Sequence, residues 1–204
     1  MKRTVLIALL LALWLPTFAQ REVQDFYRHE VTLGYGFHPI SGDEFFFSGY
    51  HFGHDIDQTG AFYGAYTYFF NQHFGVGGTY CFDPRTIDYW YNSYSTSTET
   101  EVCTLNESCH SLMGHVKLNC INKKYITLYL KCDAGLCFWD YKLTEYHPEL
   151  FEVELPDKRC CFAWQVATGI EIGHGPIAGF LQCGVGMEGN YSLGIRYKFK
   201  NRTK

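Results

Sequence analysis

The chain has 204 residues, among them 17 Phe, 16 Tyr, 4 Trp and 20 Gly; charged residues are only 19%, and the net charge is -4. That aromatic load excludes disorder, and a mean hydropathy of -0.17 excludes a bundle of membrane helices. Scattered Lys and Arg on a mildly acidic chain exclude a phosphate-binding surface, so nucleic acid is not expected as a partner.

Lys2 and Arg3 precede an apolar run over 5–15, and small residues up to Ala19 stand at the usual cleavage spacing. Spanning a bilayer as a helix takes about 20 apolar residues. The run stops short of that, so residues 1–19 read as a signal peptide cut before Gln20, and 20–204 as one domain. No Cys follows the cut, so no lipoprotein anchor is indicated. Loss of Lys2 and Arg3 takes the net charge from -4 to -6.

Beyond the leader the pattern has period two. Residues 30–37 set Val31, Leu33, Tyr35 and Phe37 against Thr32, Gly34 and Gly36. Residues 59–70 are aromatic on both parities, and 73–82 carry Phe74, Val76, Tyr80 and Phe82 on one. Leu112, Val116 and Leu118 oppose His115 and Lys117. In 125–138, Ile126, Leu128, Leu130, Cys132, Ala134, Leu136 and Phe138 alternate with Thr127, Tyr129, Lys131, Asp133 and Gly135. Residues 160–172 place Phe162, Trp164, Val166, Ile170 and Ile172 opposite Gln165, Gly169 and Glu171. Residues 177–187 set Leu181, Cys183 and Val185 against Gln182 and Gly184, and 191–199 set Tyr191, Leu193, Ile195, Tyr197 and Phe199 against Ser192, Gly194, Arg196 and Lys198.

These are eight strands, each near or above the roughly 9 to 11 residues that cross a membrane when tilted. Their connections alternate in length. The first (38–58) and the stretches 83–108 and 140–159 are long, whereas 71–72, 119–124 and 173–176 are short and 188–190 is brief. A barrel whose first strand starts in the periplasm places the long ones outside the cell.

Periodicity alone does not say which face is wet, and an eight-stranded barrel can also be a soluble carrier of apolar ligands. The complete apolar row of 125–138 is too bulky for such an interior, and the opposite parity is too rich in Gly, Thr and isolated charge for a solvated surface. The expected fold is therefore all-β, an eight-stranded antiparallel up-and-down transmembrane barrel with long external loops and short periplasmic turns. Thr127 and Leu128 are expected near the middle of the fifth strand, facing lumen and lipid respectively.

The final strand, Ser192-Leu193-Gly194-Ile195-Arg196-Tyr197-Lys198-Phe199, resembles the terminal assembly signal of outer-membrane barrels, with Gly194, Tyr197 and Phe199 as its elements. Taken with the leader and the loop asymmetry, the mature chain resembles the small eight-stranded outer-membrane barrels of Gram-negative bacteria, the OmpX-like and OmpA-like class. Residues 200–204 depart from that pattern, in which the aromatic residue is usually last. The resemblance implies outer-membrane location, with outer-membrane lipid and the barrel-assembly machinery as partners.

Lys117, Lys131, Asp133, Glu171 and Arg196 share the luminal parity and read as an ion-pair network filling the lumen rather than an ion or proton path, because an eight-stranded barrel is just wide enough for side chains to fill. Nine Cys cannot all pair internally. Cys103 with Cys109 in the longest loop, and Cys160 and Cys161 near the outer rim, are the expected disulfide positions, while Cys120, Cys132 and Cys183 read as lipid-facing fillers. No CxxC pair occurs, so neither a metal nor a cofactor is expected.

His51, His54, Asp55 and Asp57 crowd the first long connection, and His110 adjoins Ser111; adjacent strand residues point to opposite faces, so the latter pair makes a poor nucleophile and base. Asn106-Glu107-Ser108 matches a glycosylation sequon by chance in this setting. Tyr89, Trp90, Tyr91 and Tyr94 beside the polar run 93–100 fit either an adhesive loop or an aromatic girdle below a polar tip. The expected function is a non-enzymatic outer-membrane barrel, porin-like in build but closed by its own side chains. It would display 83–108 and 140–159 for envelope structure or for contact with a surface ligand or host. A lipid-modifying enzyme and a soluble carrier of an apolar ligand are the alternatives.

Overall fold

The computed structural model describes residues 27–39, 52–92, 99–146 and 160–200. The expected leader and His51 lie outside them. The described residues form nine strands: β1 (His29–Phe37), β2 (Phe52–Gln58), β3 (Ala61–Phe69), β4 (Phe74–Asn92), β5 (Glu99–Asn122), β6 (Ile126–Tyr146), β7 (Cys160–His174), β8 (Ile177–Gly186) and β9 (Tyr191–Phe199).

All pairings are antiparallel, and the sheet closes on itself through β4 with β5 at one seam and β1 with β9 at another. Both β2 and β3 pair with β4, from Phe52↔Tyr91 to Gln58↔Arg85 and from Phe62↔Phe82 to Phe69↔Gly75. They are two halves of one stave, interrupted at Thr59-Gly60, where Gly60 takes φ +109°. The result is the expected closed barrel of eight antiparallel staves.

The two faces differ in kind. Val31, Leu33, Leu112, Val116, Leu130, Val166, Leu181 and Ile195 point outward and are exposed, while Glu30, Lys117, Lys131, Asp133, Glu171 and Arg196 are buried inside. Apolar outside and charged inside inverts the soluble barrel and is the arrangement that lipid demands. On β6 the outward apolar row runs from Ile126 to Phe138. At about 3.4 Å per residue and a tilt near 40°, it covers about 30 Å, the depth of a hydrocarbon layer. Aromatic residues edge both ends of the belt. At one end His29 stacks on Phe199 at 4.9 Å and Phe70 stacks on Phe74; at the other, Tyr35 meets Phe37 and Phe62, and His110 packs on Phe82.

The structure corrects the reading of the long connections. Sheet continues through most of 83–108: β4 and β5 stay paired from Phe74↔Leu118 to Asn92↔Glu99, with a bulge at Tyr89/Trp90. Likewise β6 follows β5 as far as Cys103↔Tyr146, taking up the first part of 140–159, and β2 occupies the end of the first connection. The physical reason lies in the outward side chains. Above Phe82 and His110, positions such as Thr86, Asn106 and Ser108 face water, so the apolar parity that marks a membrane strand disappears while backbone pairing carries on.

One short turn also moves. The chain reverses at 123–125, where the Lys123 amide donates to the Ile126 carbonyl at 2.9 Å, so Thr127 and Leu128 sit beside a turn rather than at mid-strand. The middle of the belt is Cys132, flanked by Val116 and Val166. Val166→Arg should therefore make folding into lipid vesicles less favourable by about 2 to 4 kcal/mol, the cost of a midplane cation on a barrel's lipid face. Ser108→Arg, on the same outer surface but above the belt, should change it by under about 0.5 kcal/mol. Equal losses at the two positions would move the belt's upper limit.

Candidate functional site

Inward side chains from five staves meet inside the barrel in two charged clusters. The first, towards the chain termini, gathers Glu30 of β1, Lys117 of β5, Glu171 of β7, and Arg196 and Lys198 of β9. Lys117 Nζ donates to both Glu30 and Glu171 at 2.6 Å, Arg196 and Lys198 donate to Glu171, and Arg196 also approaches Glu30 at 3.6 Å. Two rings seal it: the Tyr129 ring faces Lys117 at 4.7 Å and the Arg196 guanidinium at 4.1 Å, and Phe180 stacks over Arg196 at 4.3 Å. Cations desolvated against aromatic faces keep part of the stabilisation that water would have given.

The second cluster lies further along the lumen and depends on the β8–β9 turn. Met187, Glu188 and Gly189 fold inward, and Glu188 is 0% exposed. Its carboxylate accepts from Lys131 and, at 2.8 Å, from Gln182, while its amide donates to Gln165 Oε1 at 2.9 Å. Gly36 leaves the space for this backbone, since a Cβ there would run into the Glu188 carbonyl. Lys131 also reaches Asp133 at 3.1 Å. Asp133 accepts from the Thr79 hydroxyl, which must then accept from His115 Nδ1, leaving Nε2 to take the Thr67 hydroxyl. His115 is thus held as the neutral Nδ1–H tautomer between Thr79 and Thr67, and the run ends on Asp133 Oδ2, which is buried without a hydrogen-bond partner among the described residues.

Room for these groups comes from paired glycines and aromatics. Tyr63 lies over Gly34, Phe69 over Gly75, Tyr129 over Gly169 and Phe180 over Gly194, each ring covering a glycine on the neighbouring strand. Gly194 therefore has a packing role of its own, besides any place in an assembly signal. Tyr197 and Phe199 face outward and stack on each other.

The structure brings Lys117, Glu171 and Arg196 into the first cluster and Lys131 and Asp133 into the second. It adds Glu30, Lys198 and Glu188. Glu30 and Lys198 shared the inward parity at strand ends and were open to the same reading. Glu188 stood in a three-residue connection, where period two gives no direction.

The expected Cys103–Cys109 bridge is overturned. Both lie on β5, six residues apart, hence about 20 Å along one strand, against the 4.4 to 6.8 Å between Cα atoms that a disulfide allows. Cys109 faces the lumen, buried. His110 accepts or donates on the outer face with the Tyr80 hydroxyl at 2.7 Å, while Ser111 points inward, so the two are not brought together. His54 and Asp55 fall on β2, and Asp57 is exposed on the same strand. Among the described residues no group of three or more His, Cys, Asp or Glu could hold a metal ion.

No family model matches the chain, and comparison with curated proteins gives no match. Among solved structures the fold is similar to Ail, the attachment invasion locus protein of Yersinia pestis, in complex with the heparin analogue sucrose octasulfate. Identity is 14% and the TM-score 0.46, over 85% of this chain and 100% of that one. It is also similar to the outer membrane protein OprG of Pseudomonas aeruginosa, at 10% identity and TM-score 0.47, over 85% and 97% of the two chains.

Glu171 answers three cations, so Glu171→Gln should lower the unfolding free energy in detergent or lipid by about 3 to 5 kcal/mol, the usual loss when one member of a buried ion network is removed. Lys198, whose side chain is 19% exposed, has water as an alternative partner. Lys198→Met should therefore cost no more than about 1 kcal/mol. Urea titration of the two variants checks the order.

Proposed function

We propose that the protein is a non-enzymatic outer-membrane barrel with a closed lumen, serving to hold a water-exposed sheet above the membrane as a surface for protein contact. The observation that carries this reading is the continued pairing of β4, β5 and β6 beyond the apolar belt. From Asp83 to Asn92 the sheet extends about 30 Å along the strand at roughly 3.4 Å per residue. Around it β1, β8 and β9 end low, at Phe37, Gly186 and Tyr191. The tall part is therefore an open sheet of β2, β4, β5 and β6, and an open sheet presents edge strands with unpaired amides and carbonyls to a partner.

A closed lumen follows from the internal partners already described: the turn at Glu188 crosses the barrel, and the charges on either side of it are bonded to one another. Purified protein in planar bilayers should accordingly show no stable large-conductance openings. Such openings would replace the reading with that of a pore.

The display role is tested by trimming. Deleting 87–105 and joining the register partners Thr86 and Asn106 through a Gly-containing turn removes the upper sheet and leaves the barrel wall. The shortened protein should remain heat-modifiable on gels, and cells expressing it should adhere less to epithelial cell layers than cells expressing the full-length protein. Adhesion unchanged by the deletion would remove the upper sheet from the contact surface.

A further inference from the structure

The two edges of the apolar belt differ in charge. At the end that carries the chain termini, Arg28 stands before β1 and Lys200 after β9, Lys123 and Lys124 form the β5–β6 turn, and His73 and His174 stand at the β3–β4 and β7–β8 turns; all six are exposed. Strand order sets Arg28 and Lys200 across the barrel from Lys123 and Lys124, with one histidine on each flank between them. The basic residues thus form a ring rather than a patch. Among the described residues this end has no exposed carboxylate, since Glu30 and Glu171 are both buried and bonded to Lys117. The flanking sequence does not offset the ring, as Arg21, Glu22 and Asp25 precede the barrel and Arg202 and Lys204 follow it. At the outer edge, by contrast, the exposed Asp140 and Lys142 balance.

Aromatic rings set the height of the lysines. Lys124 Nζ lies over the Tyr125 ring at 5.3 Å, Tyr125 packs against His174 at 5.4 Å, and Lys200 Nζ lies over the Tyr27 ring at 5.4 Å. Tyr125 directly precedes Ile126, the first residue of the outward apolar row on β6. The ammonium groups therefore stand just outside the hydrocarbon edge, at the level of lipid phosphates, with their stems along apolar surface.

We propose that this rim binds the anionic headgroups of phosphatidylglycerol-type lipids in the leaflet at the terminal end, the periplasmic one in the orientation read above. A polyanion docking from one side would reach only part of the ring, whereas lipid surrounds the barrel and meets every basic residue, each close to the belt. The inference rests on the membrane placement of the barrel and is independent of what the upper sheet contacts.

The test reconstitutes the purified protein in phosphatidylcholine vesicles holding a trace of spin-labelled phosphatidylglycerol or spin-labelled phosphatidylcholine. Electron spin resonance then gives the fraction of each label immobilised on the barrel. One basic side chain at the headgroup layer favours an anionic lipid about fivefold, so averaging with an indifferent outer edge gives a ratio of association constants of about threefold at low salt. High salt should lower it. Arg28→Gln/Lys200→Gln and Lys123→Gln/Lys124→Gln should each reduce the ratio, and all four changes together should bring it to unity. Asp140→Asn/Lys142→Gln, at the other edge, should leave it unchanged. Every altered side chain is exposed, and heat-modifiability on gels verifies that each variant keeps its barrel. A ratio of unity in the unaltered protein, or a raised ratio that survives the four changes, overturns the proposal. Unity combined with retention on purified peptidoglycan that the four changes abolish gives the rim to a cell-wall polymer instead. Protein that inserts into neither membrane overturns the membrane placement and this inference with it, whereas unity in inserted protein overturns this inference alone.

Discussion

A sheet in hydrocarbon tolerates no open edge, because an unpaired amide or carbonyl has no water to turn to. The ladder from His29↔Phe199 to Phe37↔Tyr191 meets that demand by returning β9 to β1, and most of the interior follows from it. Eight staves enclose a space that side chains fill. The inward parity then has to mix large and small: a ring such as Tyr129 can lie across the lumen only because the opposite position, Gly169, has no Cβ. The abundance of both Gly and aromatic residues is one feature rather than two.

Charge balance is the second consequence of closure. Around the first cluster Glu30 and Glu171 face Lys117, Arg196 and Lys198, one cation in excess; around the second, Lys131 faces Asp133 and Glu188, one anion in excess, with His115 neutral between its two threonines. Neither cluster balances alone, but the two together do. Glu188 is what completes it. Without that carboxylate Lys131 would have only Asp133, itself already bonded to Thr79, and a buried ion with insufficient partners is a larger penalty than no ion at all.

The membrane-embedded part of this molecule was readable from the sequence because lipid imposes a strict rule on every second residue. Leu130, Cys132 and Ala134 against Lys131 and Asp133 separate the two faces of the strand, and inward charges could be named from parity. Two kinds of position escaped for the same reason, the absence of that rule. Above the belt, Thr86 and Asn106 pair in the sheet while facing water, so strand looked like loop. In the turn, Glu188 has no alternation to orient it, and its inward course shows only in the fold, through its bonds to Lys131, Gln182 and Gln165 and the packing of Gly36 against its backbone. The cysteines failed differently: Cys103 and Cys109 looked like neighbours in a loop and became distant on a strand, whereas Cys109 and Cys137, far apart in sequence, are neighbours across β5 and β6.

The plug and the projecting sheet are two results of one asymmetry in strand length. On the β8–β9 side the strands stop low and their connection is short, so the turn cannot extend into solvent far enough to solvate Glu188, and folding inward gives its carboxylate Lys131 and Gln182 instead. On the β4–β5 side the strands run on past the apolar belt, and side chains there such as Thr86 and Asn106 lie on the outer face. Each side thus meets the requirement that polar groups find partners by a different route, the short one with the barrel's own interior and the tall one with water. The display role proposed for the upper sheet fits this division, since a partner on the tall side meets polar groups that can exchange water for its own, whereas the luminal charges are engaged with one another.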